Sequence, residues 1–131
     1  MRRAVQKLFT SALVICALSP VSPARADDIP MPVAVLQALD KITARVQTIE
    51  ASVGDTLRFG TLQMIVRVCY RRPAEETPES TAFLDIWDMR RNETPQDVFR
   101  GWMFASSPAL SAVEHPVYDV WLVDCRSGRG R

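Results

Sequence analysis

No stretch of this sequence is apolar for long enough to cross a bilayer as a helix. The longest apolar run, Leu8 to Leu18, has about eleven residues, and a spanning helix needs roughly 20. Basic residues come singly or in pairs. Without a basic cluster to neutralise phosphates, nucleic acid is not an expected partner. The chain has one histidine, His115, and no Cys-x-x-Cys spacing. Zinc wants about four nitrogen or sulfur ligands, and a thioredoxin-like redox pair wants that spacing. Calcium needs clustered acidic ligands at fixed intervals, which neither Asp27-Asp28 nor the pair Asp85 and Asp88 supplies. No metal and no cofactor are therefore expected. There is also no internal repeat and no nucleophile-elbow motif around any serine.

What is present begins with a secretory signal. Arg2, Arg3 and Lys7 form a basic segment, Leu8 to Leu18 is the apolar run, and Ser19, Pro20, Ser22 and Pro23 break it. Ala24-Arg25-Ala26 is the small-x-small pattern of a cleavage site. Cleavage after Ala26 is expected, with Asp27 as the new N-terminus and the periplasm as destination, and with no integral membrane segment left behind. Cys16 follows Ile15, where a lipid-attachment motif wants a small residue, so lipidation is not expected. The whole chain carries 16 Lys+Arg and 15 Asp+Glu, nearly neutral. Four of the basic residues and none of the acidic ones fall in the signal, so the remainder has 12 basic against 15 acidic. Lys41 is its single lysine, and arginine favours fixed, bidentate contacts.

About 105 residues remain after cleavage, enough for one modest core. They keep two cysteines, Cys69 and Cys125. In an exported domain such a pair implies a disulfide; a metal pair would lack supporting ligands and a redox pair the usual spacing.

Short alternating segments separated by turn residues read as an all-β, mainly antiparallel fold, a compact β-sandwich or small barrel. Residues 27–34 read as a flexible leader, 35–125 as a single β domain, and 126–131 as a disordered tail. Val33 to Lys41 suits either a helical turn or the start of a strand. Ile42 to Glu50 reads as a strand with Ile42, Ala44 and Val46 on one face and Ile49 out of phase. In Thr61 to Arg71, Leu62, Met64, Val66, Val68 and Tyr70 share a face, with Cys69 on the other. Further strands are expected over 81–90, 98–105 (interrupted at Gly101) and 117–125, where Asp119, Trp121, Val123 and Cys125 share a face. A helical turn is expected from Pro108.

The run Leu39 to Leu62 (LDKITARVQTIEASVGDTLRFGTL), the Cys69 strand, Ala82 to Asp88 (AFLDIWD), and above all GWMFASSP from Gly101 and EHPVYDVW from Glu114 resemble one family. It is the alphaproteobacterial family known as domain of unknown function 2155, and the resemblance covers about Val35 to Cys125. It implies a small exported protein with this cysteine pair. It implies no activity or catalytic residue.

Chemistry concentrates between Gly101 and Cys125. His115 with Ser106 or Ser107 and Asp119 has the residue types of a hydrolase triad. The plainer expectation is that His115 braces the turn before Pro116. Trp102, Phe104, His115 and Tyr118 are the candidate binding residues, because Trp and Tyr with Arg dominate binding hot spots. The leading expectation is a non-enzymatic binding or accessory module of the cell envelope, gripping a protein or polymer, with a small periplasmic hydrolase as the alternative. The run Glu75, Glu76 and Glu79 reads as a solvated loop.

Overall fold

The computed structural model describes residues 27–111, 113 and 115–128. The expected signal over 1–26 and the last three residues of the expected tail lie outside the described residues. Among the described residues eight strands follow one another: β1 (Ile29–Pro30), β2 (Val33–Asp40), β3 (Arg45–Ser52), β4 (Thr56–Phe59), β5 (Leu62–Arg71), β6 (Ser80–Asp88), β7 (Gln96–Phe104) and β8 (Tyr118–Arg126). The turn expected from Pro108 is a 3-10 turn over Pro108–Ser111. All strand pairs are antiparallel. One sheet runs β1-β5-β6-β7, with β4 sharing the β1 edge of β5, and the other runs β3-β2-β8. The expected all-β antiparallel class is the one observed.

Successive side chains of a strand alternate between faces, and this sorts the core. Ala34, Leu36 and Ala38 of β2, Leu62, Met64 and Val66 of β5, Leu84 and Ile86 of β6, and Val120 and Leu122 of β8 fill the space between the sheets. Each large apolar side chain buried there contributes about 1.5–3 kcal/mol.

Three bulges set the finer geometry. The β5–β6 register shifts between Val66 and Val68, so Arg67 is an extra residue. The expected shared face of β5 therefore ends at Val66. Beyond it Cys69 turns into the core, and Val68 and Tyr70 are only half-buried. In β8 the register with β2 shifts at Val35/Leu36, which leaves Val123 unpaired. That shift moves Cys125 to the core, away from the Asp119 and Trp121 face where it was expected. Both cysteines thus come to face each other across the sandwich, joined as a disulfide with Cα atoms 5.7 Å apart. The third bulge, opposite Ile86/Trp87, skips Val98 in β7. Gly101 causes no interruption; it pairs regularly with Leu84.

Other expectations are corrected. Residues 27–34 are not a free leader: Ile29–Pro30 pairs with Tyr70 and Arg71, and Val33 and Ala34 are buried in β2. Arg126 is likewise no tail residue, since it ends β8 and pairs with Glu50. Ile42 to Ala44 are not strand but the β2–β3 turn. The Asp40 Oδ1 accepts from the amides of Ile42 and Thr43 at 2.9 and 3.1 Å, and Ala44 closes the turn with φ 56°. An Asp at the head of a turn satisfies the backbone in this way. With the turn there, Ile49 and Ala51 face the core and Val46 is exposed.

Candidate functional site

The Gly101–Cys125 stretch divides between two regions. The outer face of the larger sheet receives Trp102 and Phe104, and the end of the sandwich receives His115 and Tyr118.

On the outer face, Trp102 stands opposite Phe83 on β6. Its ring meets Phe83 edge-on at 5.5 Å and lies near-parallel to Tyr70 of β5 at 6.3 Å. Trp102 is still 44% exposed. The bulge at Arg67 is what turns Tyr70 outward to meet it. Phe104 lies one row further along, opposite Thr81. Two residues from Phe83 on β6 sits Asp85, buried between arginines from both neighbouring strands. Arg67 Nε donates to its Oδ2 at 2.7 Å, and Arg100 forms an ion pair with it, Nε lying 3.0 Å from Oδ1. Two residues further, Trp87 borders a hollow of about 210 Å³ with Gln63, Ile65, Met89 and Pro95. The face therefore presents ring, ion-pair cluster and ring in successive rows.

At the end of the sandwich, His115 is buried. Its Nδ1 accepts hydrogen bonds from the amides of Val117 and Tyr118 at 3.0 and 3.1 Å. That leaves the proton on Nε2, which lies 2.9 Å from Asp88 Oδ2. Arg90 Nε donates to the same oxygen at 2.7 Å. Burial raises the Asp88 pKa, but hydrogen bonds from Thr61, His115 and Arg90, with the Arg90 charge, outweigh it and hold the carboxyl below its ordinary value. Tyr118 stacks on His115 at 5.2 Å and packs edge-on against Phe59. Lys41 donates to the His115 carbonyl at 2.9 Å, tying the β2–β3 turn to this segment.

The triad residues are not brought together. Both His115 nitrogens are engaged, with Asp88 and with the backbone. Asp119 lies across from Leu39 and accepts from the Val120 amide at 3.0 Å. The Ser106 hydroxyl donates to Glu79, and the Ser107 amide donates to the Phe104 carbonyl. Glu79 is thus no solvated loop residue: it receives Ser106 and the Ser80 amide. His115 braces a bend, as in its plainer expected role, but the bend runs through Pro116 to Tyr118 rather than lying before Pro116.

The binding residues are brought together only in part. Trp102 and Phe104 share the outer face, whereas His115 and Tyr118 belong to the packed end. Tyr70, Phe83, Arg67, Asp85 and Arg100 complete the face and escaped sequence reasoning. The alternation of Phe83, Asp85 and Trp87 was visible, but their arginine and tyrosine neighbours depend on register and on a bulge. Among the described residues, no group of three or more His, Cys, Asp or Glu side chains is placed to hold a metal ion.

The matching family model, described as "Uncharacterized protein conserved in bacteria (DUF2155)", covers residues 34–125. The chain belongs to this family. The match holds both cysteines and every residue of the two regions just described. "Uncharacterized protein RP359" of Rickettsia prowazekii (strain Madrid E) is 32% identical over 88 residues, 67% of this chain and 57% of that relative. The chain thus spans little more than half the length of that relative. No solved structure matches it.

Proposed function

We propose that this family member is a non-enzymatic binding or accessory module of the cell envelope, exported to the periplasm and cleaved after Ala26. It grips its partner with the outer face of β5, β6 and β7. The observation that carries this reading is Trp102, 44% exposed against Tyr70 and Phe83, with Arg67 and Arg100 around Asp85 in the next row. Large rings left in water cost burial energy that the core could have used, and Trp, Tyr and Arg together are the composition of binding hot spots. Both ring nitrogens of His115 are committed to bracing, which speaks against the hydrolase.

The test is in-cell photo-crosslinking with a photoreactive phenylalanine analogue in place of Trp102 or Phe104, and of Arg45 on the other sheet as control. A discrete adduct from the first two positions and none from Arg45 is the expected result. No adduct at either aromatic position would sink the module. Export is tested separately by N-terminal sequencing of the protein recovered from the periplasmic fraction, where Asp27 is the expected first residue.

A further inference from the structure

We infer that the occupant of the outer face is an extended peptide segment of a partner protein, with a carboxylate flanked by apolar side chains at alternate positions. This rests on the binding-module reading above and names its partner's chemistry.

The first argument is spacing. Phe83, Asp85 and Trp87 are consecutive outward positions of β6, so they repeat every two residues, about 6.6 Å along the strand. An extended peptide laid along β6 repeats its own side chains at the same interval. Its residues i, i+2 and i+4 meet the Trp102–Phe83–Tyr70 cluster, the Asp85 row and the Trp87 hollow in turn. The hollow of about 210 Å³ beside Trp87 is a place for one apolar side chain.

The second argument is charge. In the middle row one carboxylate is held by two guanidinium groups, each engaged through its Nε. Asp85 balances one of the two, which leaves the row with a unit of positive charge. Arg67 and Arg100 are exposed, with side-chain exposures of 48% and 75%, and keep the Nη donors of their forks for a second carboxylate. Arg58 adds a cation opposite Gln63 and exposed Asp97 an anion opposite Trp87; these two offset each other and leave the net positive charge in the Asp85 row. The domain as a whole is acidic, with 12 basic against 15 acidic residues after Ala26. A positive row on a negative molecule orients an acidic partner to this face and repels it elsewhere.

The test titrates the purified protein with the peptide Thr-Phe-Thr-Glu-Thr-Phe-Thr, following the indole resonances of the tryptophans. The same peptide with Gln for Glu is the first comparison, and a hyaluronate hexasaccharide, an anionic glycan, is the second. Binding of the Glu peptide at least tenfold tighter than the Gln peptide, with the difference erased in Arg100→Gln, is the expected result. If Arg100→Gln fails to fold, Arg67→Gln reads the same carboxylate contact from the other side of Asp85. Equal affinity for the two peptides, no binding of either, or preference for the hexasaccharide overturns the inference. The crosslinking experiment stands apart from this one. A discrete adduct at Trp102 alongside failure of the acidic peptide leaves the module standing and removes only its acidic peptide partner.

Discussion

Gly60 turns β4 into β5 at φ +57°, and a Cβ placed there would lie 2.2 Å from the Tyr118 hydroxyl oxygen. Backbone strain of about 1–2 kcal/mol and overpacking of about 1–3 kcal/mol both oppose Gly60→Ala. Urea unfolding should show it about 2–5 kcal/mol less stable than the native protein. Gly101 is the contrast, because a Cβ there meets Phe99 at an ordinary 3.5 Å. Gly101→Ala should stay within about 1 kcal/mol of the native protein, in either direction. Asp88 carries the second prediction at this scale. Its folded pKa is lowered, so its contribution to stability is complete above the unfolded value of about 3.9 and is lost as pH falls through the lower folded value. Asp88→Asn should be the less stable protein at pH 7, and the gap should close on acidification below about pH 4. Two other carboxyls are also lowered, Asp40 by the Thr43 amide, and Glu79 by Ser106 and Ser80 hydrogen bonds that outweigh burial. Both are present in both proteins and cancel in the difference. A gap independent of pH would show that Asp88 acts by shape alone.

The long strands β5 and β6 were legible in the sequence because alternation survives wherever pairing is regular, whereas β1 read as a leader and β2 as helical turn or strand. Leu62, Met64 and Val66, or Ala82, Leu84 and Ile86, advertise their face without help from any partner strand. Bulges defeated the same reading. A single unpaired residue at Arg67 or Val123 reverses every face beyond it, and nothing in those segments marks the position. The candidate site was legible to the same degree: Trp102 stood out, while Tyr70 reaches it only through the Arg67 bulge. The two bulges also place the disulfide, since Cys69 and Cys125 turn inward only because each lies just past one. Bridging positions 56 residues apart removes unfolded-chain entropy worth about 4 kcal/mol. The double variant Cys69→Ala/Cys125→Ala should lose about that much stability in urea. Thiol titration of the unreduced protein after unfolding should find no free thiol from this pair, and two reactive thiols would contradict the bridge.

Across the whole molecule, large side chains serve in two populations that differ in what surrounds them. Leu36, Leu84 and Leu122 touch protein on all sides, whereas Trp102 keeps 44% of its surface in water and packs mainly on Tyr70 and Phe83. Truncating the first kind leaves a cavity that the tightly packed interior cannot collapse, at a cost of about 2–5 kcal/mol for Leu84→Ala. Truncating Trp102 forfeits two ring contacts, about 0.5–1.5 kcal/mol each beyond the area they bury, and opens to solvent without leaving a cavity. Trp102→Ala should therefore unfold in one cooperative transition and cost less than truncating a fully buried ring, which costs about 3–5 kcal/mol. With Phe104 carrying the photoreactive group, it should still lose the crosslinked partner. Leu84→Ala, at equal or greater loss of stability, should keep the adduct as long as it remains folded. The two variants together separate stability from recognition: adduct yield that tracks urea midpoint in both would make the aromatic face a patch of ordinary packing, and yield that follows Trp102 alone makes it the working surface.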